Sequence, residues 1–309
     1  MSAPDQTGPR GTASGALRVV QLNAGSLFEG GWEARRVEVV RWLERLDADI
    51  VCLEEIWAAG DEPSTAHWIA DALPGRATHV AFGGRPFKNE IWPDPKLRFG
   101  SAVISRWPID AVTYHSLPVA PGATGFVVGV PWEALHVRTA GLDVFACHLA
   151  AAPTDGLHRQ QQVLALDAIV RAGRGDRDAD VRPGTRRDSM PAIICGDFNA
   201  EPDSDEVRFL TSLTALDGRT TFYQDAWRVA GNTTPGFTND WVTHPLAAGL
   251  NVHRKRIDYV FVGDPFLRTG DAGRVLRADL AFDEPLTGVQ ASDHTGLVVD
   301  IVWPGRPHA

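Results

Sequence analysis

PAIICGDFNAEPDSDEV, residues 191–207, joins an apolar run to a cluster of polar residues. The run, 192–195, ends at Gly196, and Asp197 and Asn199 then follow two positions apart. A short apolar run of this kind predicts a buried strand. A carboxylate and a carboxamide at its end indicate a polar site there, and an Asx turn into the next helix is the alternative interpretation.

Around this stretch, apolar runs alternate with segments of helical periodicity. The chain opens as β-α-β, with a strand at 17–22, an amphipathic helix at 32–46 and a buried strand at 49–53. A second helix is predicted over 157–172, and a third after the D-x-x-E capping pattern of 203–206. Further apolar runs, counted as strands, cover 101–105, 126–130, 142–147, 192–195, 257–262 and 297–302. The pattern predicts a mixed α/β fold with many strands.

The composition is that of a soluble globular protein, with 44% hydrophobic and 22% charged residues in a chain of 309. No stretch approaches the roughly 18 apolar residues of a membrane span, and the N-terminus lacks a secretory signal, so we expect a cytoplasmic protein. Residues 1–15 are expected to form a disordered tail before a single domain over 16–305. Cys52, Cys147 and Cys195 are odd in number and include no C-x-x-C, which predicts reduced, mostly buried thiols.

The net charge of −9 bears on the partners. Sequence-independent duplex binding depends on Lys and Arg that neutralise phosphates, so nucleic acid is a possible partner that the charge does not favour. A small or neutral-bodied substrate, or one that arrives with metal ions, fits better. Two segments look irregular: 83–100 is expected to be a substrate-facing loop, and 173–190 a mobile, solvated insertion.

Polar residues stand at the ends of five apolar runs, and one more lies inside a sixth. Taken singly, each has an ordinary structural interpretation, such as a solvated strand edge, a hydrogen-bonded histidine or a turn. Taken together, every one is an oxygen ligand or a proton carrier, so we expect them to converge on one rim of the fold. The residues are Asn23, Glu54, Glu55, His148, Asp197, Asn199, Asp258, Asp293 and His294.

Several other kinds of site are excluded because their sequence motifs are absent. The sequence has no G-x-x-x-x-G-K-[ST], G-x-G-x-x-G, G-x-S-x-G or H-E-x-x-H, which leaves the usual nucleotide, serine-hydrolase and zincin sites without support. Asparagine and carboxylates without thiolates suit a hard cation, so Mg²⁺ or Mn²⁺ is the expected cofactor.

Seven blocks in this order resemble a known family. They are QLN, ADIVCLEE, GSAVISRWPI, CHLAA, GDFN, RIDYVF and SDH, between residues 21 and 294. The chain resembles the endonuclease/exonuclease/phosphatase superfamily, which includes deoxyribonucleases, abasic-site endonucleases, bacterial sphingomyelinases and inositol polyphosphate 5-phosphatases. The resemblance implies an α/β four-layer sandwich, in which two mixed β-sheets pack face to face and are flanked by helices.

The resemblance also implies a role for each site residue. Glu55 matches a metal-ligating glutamate, Asn23 the asparagine beside it, and Asp293 a second carboxylate on the metal side. Asp197 matches the residue that orients or deprotonates the attacking water, and Asn199 the group that holds a phosphoryl oxygen.

Three further residues match family positions. His294 and Asp258 match a hydrogen-bonded pair in which the imidazole contacts phosphate or aids proton transfer. His148 matches a histidine of the deoxyribonuclease, sphingomyelinase and 5-phosphatase branches, where abasic-site endonucleases carry tyrosine. Two departures are visible: Glu54 stands where the family commonly has glutamine, and RIDYVF replaces the W-C-D-R block of the 5-phosphatases.

We therefore predict a Mg²⁺-dependent phosphoesterase that acts by direct attack of water on a phosphodiester or a small phosphomonoester. The alternative within the family is a nuclease or a tyrosyl-DNA-phosphodiesterase-like enzyme. A non-catalytic binding module of the same fold is the alternative from another class.

Overall fold

The computed structural model describes residues 15–27, 29–75, 78–87, 96–175, 186–240, 246 and 253–307. Within them the strands are β1 (Ala16–Asn23), β2 (Ile50–Ala59), β3 (His79–Phe82), β4 (Arg85–Pro86), β5 (Leu97–Ser105), β6 (Ile109–Ser116), β7 (Glu133–Thr139), β8 (Leu142–His148), β9 (Ile193–Asp197), β10 (Tyr223–Asp225), β11 (Asp258–Gly263), β12 (Val275–Ala281) and β13 (Gly296–Val302). The helices are α1 (Trp32–Leu46), α2 (Thr65–Ala72), α3 (Phe126–Gly129), α4 (Gly156–Arg174), α5 (Asp205–Leu210) and α6 (Ala226–Val229), with a 3-10 turn at Thr269–Asp271.

The strands form two mixed sheets. The first has the order β12-β13-β1-β2-β5-β3, with β4 also paired to β5, and the second has the order β10-β11-β9-β8-β7-β6. Each sheet contains one parallel pair, β1 with β2 and β8 with β9. Parallel neighbours need a long crossover, which α1 and α4 supply.

Three apolar interfaces define four layers. Between the sheets, Val19 of β1 belongs to the same buried cluster as Val144 of β8 and Ile193 of β9. The outer face of the first sheet packs against α1 and α2, and the outer face of the second sheet packs against α4 and α5. The predicted four-layer α/β sandwich is confirmed.

Two local predictions were wrong. Residues 126–130, counted as a strand, form the short helix α3, with Val127 buried and Phe126 and Val128 exposed. An apolar run of five residues has too little periodicity to distinguish helix from strand. The helix predicted after 203 exists, but it begins at Asp205, and the Glu206 carboxylate accepts a hydrogen bond from Arg159 Nε at 3.2 Å instead of closing a capping box.

The two segments predicted to be irregular are described in part. The ends of 83–100 lie in β4 and β5, and 88–95 fall outside the described residues. The described ends of 173–190 contradict a solvated insertion, because Arg174 is buried and donates to Asp143 Oδ2 at 3.1 Å and to the Met190 carbonyl at 2.8 Å. These bonds tie the end of α4 to β8 and to the segment just before β9.

Three further expectations concerned the cysteines, a membrane-spanning segment and the N-terminal tail. The three cysteines are buried and free, as predicted. No helix in the described part of the chain is both long and apolar enough to cross a membrane. Of the predicted tail, residues 1–14 lie outside the described residues.

Candidate active site

Strand periodicity brings the site residues to the space between the sheets. Along β1, Leu17 and Val19 lie in the core between the sheets, while Val20 packs on the outer face against α1. Alternation with a period of two places Gln21 and then Asn23 on the same inner face as Leu17 and Val19. The polar residue is therefore the last member of an apolar stripe.

The second sheet repeats this arrangement on three neighbouring strands. His148 ends β8, Asp197 ends β9 and Asp258 begins the antiparallel β11. In register, Asp197 pairs with His148 on one side and with Asp258 on the other. Three polar side chains therefore lie side by side at one end of the sandwich.

A bulge turns Glu55 toward this end. The pairing of β2 with β5 shifts between Leu53 and Ile56, and Glu55 has a positive φ of 56°. Bulges commonly redirect a side chain beside an active site, and a left-handed conformation in a residue other than glycine is a strain that persists where the surrounding structure requires it. Asn199, with φ 48°, has the same unusual backbone.

The Asp197 carboxylate is the centre of the cluster. Its Oδ2 accepts a hydrogen bond from Asn23 Nδ2 at 3.1 Å and lies 3.6 Å from His148 Nε2 and 3.9 Å from His294 Nε2. Its Oδ1 accepts from the backbone N–H of Asn199 at 2.9 Å. Residues from both sheets thus aim polar atoms at one carboxylate, which is 2% exposed.

The two histidines are in opposite electrostatic environments. Burial lowers the pKa of His294, but the Asp258 carboxylate, whose Oδ2 is 2.8 Å from His294 Nδ1, and the nearby Asp293 outweigh it and raise the pKa well above its ordinary value. Burial lowers the pKa of His148, and Asp197 offsets this only in part. The two environments thus favour the charged form of His294 and the neutral form of His148, a division of charge typical of acid–base sites.

The metal-side residues Glu55 and Asp293 place two carboxyl groups near each other. Burial and then the neighbouring Asp293 raise the pKa of Glu55 to about 8. A divalent cation would relieve this repulsion, and a set of carboxylate oxygens without thiolates suits Mg²⁺ or Mn²⁺. Asp197, Asp258 and His294 form a separate cluster with ligand atoms within 4.8 Å of one another, but a charged His294 has no nitrogen free to bind a metal, which leaves Glu55 and Asp293 as the metal-side residues. The residues present fit a divalent metal.

Asn23 is oriented as a donor. Its Nδ2 bonds to Glu55 Oε1 at 3.0 Å and to Asp197, while its Oδ1 accepts from the Gly25 N–H at 3.1 Å. The side chain therefore links the metal-side carboxylate to the central one. Its role as a direct metal ligand stays a prediction.

Four supporting residues were missed in the sequence. Gln21 Nε2 joins the sheets by donating to Asp258 Oδ1 at 2.9 Å and to Glu54 Oε2 at 2.7 Å. Ser292 Oγ donates to the Asn23 carbonyl at 2.6 Å, which ties the loop before β13 to β1. A signal existed for Gln21, which is a polar residue in the middle of an apolar strand.

The other two missed residues are Arg35 and Asn239. Arg35 is 1% exposed, and its guanidinium donates to five backbone carbonyls, four within residues 24–30 and one at Ala291. Asn239 is equally buried, and its Nδ2 lies 3.4 Å from His294 Nε2. Neither position carries a sequence signal, because helical spacing does not distinguish a buried arginine from an exposed one, and the loop before Asn239 has no periodicity.

Comparison with known proteins identifies the family. The sequence profile described as Endonuclease/Exonuclease/phosphatase family matches residues 20–294. The chain belongs to the endonuclease/exonuclease/phosphatase family. Members of the endonuclease/exonuclease/phosphatase family hydrolyse phosphoester bonds and generally depend on a divalent metal. The resemblance inferred from the sequence blocks is confirmed.

Solved structures of this family share the fold. An endonuclease/exonuclease/phosphatase family protein from Leptotrichia buccalis C-1013-b is 15% identical, with a TM-score of 0.63 over 92% of this chain and 99% of that one. D. rerio TDP2 complexed with single strand DNA product is also 15% identical, with a TM-score of 0.63 over 93% and 98% of the two chains. The human Nocturnin catalytic domain with bound sulfate anion is 19% identical, with a TM-score of 0.60 over 93% of each chain. At these identities the likeness concerns the fold alone, and no curated protein sequence matches the chain.

Proposed function

We propose that this protein is a Mg²⁺-dependent phosphoesterase that hydrolyses a phosphodiester or a small phosphomonoester by direct attack of water. The observation that carries the proposal is the position of Asp197, whose buried carboxylate has Asn23, His148 and His294 around it within 3.9 Å. A general base must lie within hydrogen-bond reach of the water that it deprotonates, and donors nearby must face the charge that develops.

Each residue has a chemical role in the proposal. Asp197 orients a water and takes its proton while the water oxygen forms the new bond to phosphorus. The bond from phosphorus to the leaving oxygen breaks, and a proton from solvent or from His294 neutralises that oxygen. Asn199 and the His294 imidazolium donate to non-bridging oxygens, on which the negative charge grows. Asp258 holds His294 in its orientation and in its charged form.

Glu55 and Asp293, with Asn23 beside them, are the residues that would hold the metal. When bound, a divalent cation neutralises phosphoryl charge and lowers the barrier to attack. The raised pKa of Glu55 supports this assignment, because a buried carboxyl beside another carboxylate is stabilised as an anion by a cation.

The net charge of −9 supports a small or neutral-bodied substrate over duplex DNA. The second candidate is a nuclease or a tyrosyl-DNA-phosphodiesterase-like enzyme. In its favour, one structure of the same fold is TDP2 with a single strand DNA product, and Arg85 and Arg98 lie on the paired strands β4 and β5. A cytoplasmic location remains a prediction of the sequence.

The test is hydrolysis of a substrate panel with and without Mg²⁺. The panel holds an aryl phosphodiester, an aryl phosphomonoester, single- and double-stranded DNA, and sphingomyelin. We expect Mg²⁺-dependent cleavage of one class, nearly abolished in Asp197→Asn and unchanged in Asp205→Asn, which makes the same chemical change on an exposed carboxylate of α5. Cleavage confined to DNA selects the second candidate. No cleavage of any substrate by wild type, with Mg²⁺ still bound, favours the non-catalytic module.

A further inference from the structure

Asn239 lies in the connection between α6 and β11, and β11 begins with the site residue Asp258. Its backbone N–H and carbonyl pair with the carbonyl and N–H of Lys255 at 3.0 and 2.9 Å. The neighbouring Thr238 accepts the N–H groups of Ile257 and Asp258 on its Oγ1, and its carbonyl accepts from the Thr295 N–H at 2.7 Å. The loop is therefore fixed by its backbone and by Thr238, without the amide of Asn239.

The amide of Asn239 faces the site instead. Its Nδ2 lies 3.4 Å from His294 Nε2, the ring nitrogen left after Nδ1 bonds to Asp258. In the charged form of His294 both ring nitrogens are donors, so His294 Nε2 and Asn239 Nδ2 can both donate to one acceptor placed beside them. The other histidine has a comparable neighbour, since Asn199 Nδ2 lies 3.2 Å from His148 Nε2 and also donates one N–H to the Leu149 carbonyl at 3.1 Å. The site thus contains two histidine–asparagine pairs, with Asp197 Oδ2 between the two imidazoles at 3.6 and 3.9 Å.

We propose that Asn239 is a further catalytic residue, whose amide donates a hydrogen bond to a non-bridging oxygen of the phosphoryl group held by His294. This inference rests on the proposed phosphoesterase function. In it, each of two non-bridging oxygens meets one imidazole and one amide. His148 and Asn199 serve one oxygen, and His294 and Asn239 serve the other. The phosphorus then lies in front of Asp197 and of the water that Asp197 orients.

Burial strengthens this role. Asn239 is 1% exposed, so its amide is not competing for bulk water and is already oriented before substrate binds. Pre-oriented donors aimed at developing negative charge are the largest contributors in many acyl- and phosphoryl-transfer sites, and removing one such donor typically costs on the order of 100-fold in kcat.

The test compares Asn239→Ala, Asn239→Asp and a matched control, Asn232→Ala. Asn232 lies in the same connection, and its amide donates to the Ala278 carbonyl at 2.8 Å. For the substrate that wild type cleaves, we expect kcat to fall on the order of 100-fold in Asn239→Ala and further in Asn239→Asp, with the control unchanged. A purely structural role predicts the reverse order, because Asp has the shape of Asn.

A second readout does not depend on turnover. The affinity for inorganic phosphate, measured by calorimetry with Mg²⁺ present, should weaken about tenfold or more in Asn239→Ala and not in Asn232→Ala, at an unchanged melting temperature. An active wild type with Asn239→Ala within threefold of it in both readouts overturns this inference alone. A wild type that neither cleaves the panel nor binds phosphate overturns the proposed function and this inference with it.

Discussion

Glu133 is a buried carboxyl outside the proposed active site, and replacing it with glutamine should stabilise the protein at neutral pH. Its side chain is 3% exposed, the Ser101 N–H donates to Oε1 at 3.4 Å, and Arg85 Nε lies 3.7 Å from Oε2. Burial raises the pKa of Glu133 to about 8, against the smaller opposing effects of Ser101 and Arg85. The folded protein therefore holds this group as a neutral acid at pH 7.

The sign and size follow from proton linkage. An unfolded glutamate has a pKa of about 4.3, so between pH 4.3 and 8 the folded state binds a proton that the unfolded state has released. The stability contributed by the neutral acid is complete below about pH 4.3 and decreases by roughly 1.4 kcal/mol per pH unit as the pH rises toward 8. At pH 7 the loss is about 4 kcal/mol, or about 6 °C in melting temperature for a domain of this size.

Glu133→Gln keeps the shape of the neutral acid and removes its titration. The assay is the melting temperature of wild type, Glu133→Gln and Glu62→Gln from pH 5 to pH 8, where Glu62 is exposed and serves as the matched control. The difference between Glu133→Gln and wild type should grow with pH, while Glu62→Gln should follow wild type. A constant difference across this range, or a Glu133→Gln protein that loses stability as pH rises faster than wild type, would refute the reasoning.

Three further predictions concern the site. Asp258→Asn should lower kcat about 100-fold and move the alkaline limb of the pH–rate profile to lower pH, because it removes a carboxylate that raises the pKa of His294; an unmoved limb would contradict the charged form of His294. Mg²⁺ at 100 times its Kd should stabilise wild type by about 2.7 kcal/mol in thermal melts, and Glu55→Gln should abolish that increment, so an equal increment in both proteins would remove Glu55 from the metal site. Arg35→Leu should lower the free energy of unfolding by on the order of 3 kcal/mol, because it leaves buried carbonyls without donors. In denaturant melts, Arg41→Leu, on the exposed face of α1, should keep a free energy of unfolding near that of wild type. Equal losses in the two variants would show that the burial of Arg35 does not contribute to stability.

The sequence predicted the fold well where apolar periodicity is strong. Helix 32–46 has the bounds observed for α1, and the parallel pairs follow from the β-α-β pattern. The prediction failed at 126–130, where a short apolar run shows neither a helical nor a strand period. It also failed at Glu206, whose carboxylate could either close a capping box or pair with an arginine.

The candidate site was predictable for residues that end an apolar strand, since alternation fixes their face. Asn23, His148 and Asp197 are of this kind. Asn239 was not predictable, because its placement depends on His294, more than fifty residues away. Arg35 was not predictable either, because the carbonyls that it binds come from two separate loops. Such contacts are set by tertiary packing and leave no local pattern.

The bonds of Gln21 across the sandwich have a consequence for how activity depends on the whole protein. The first sheet carries Asn23 and Glu55, and the second carries His148 and Asp197. The two sets meet because the apolar layer between the sheets and the bond from Gln21 to Asp258 hold one sheet in alignment with the other. A cavity opened in that layer far from the site would let the sheets slide and separate the base from the metal-side carboxylates. We therefore expect turnover to depend on the alignment of the two sheets and to decline on heating before the helices unfold.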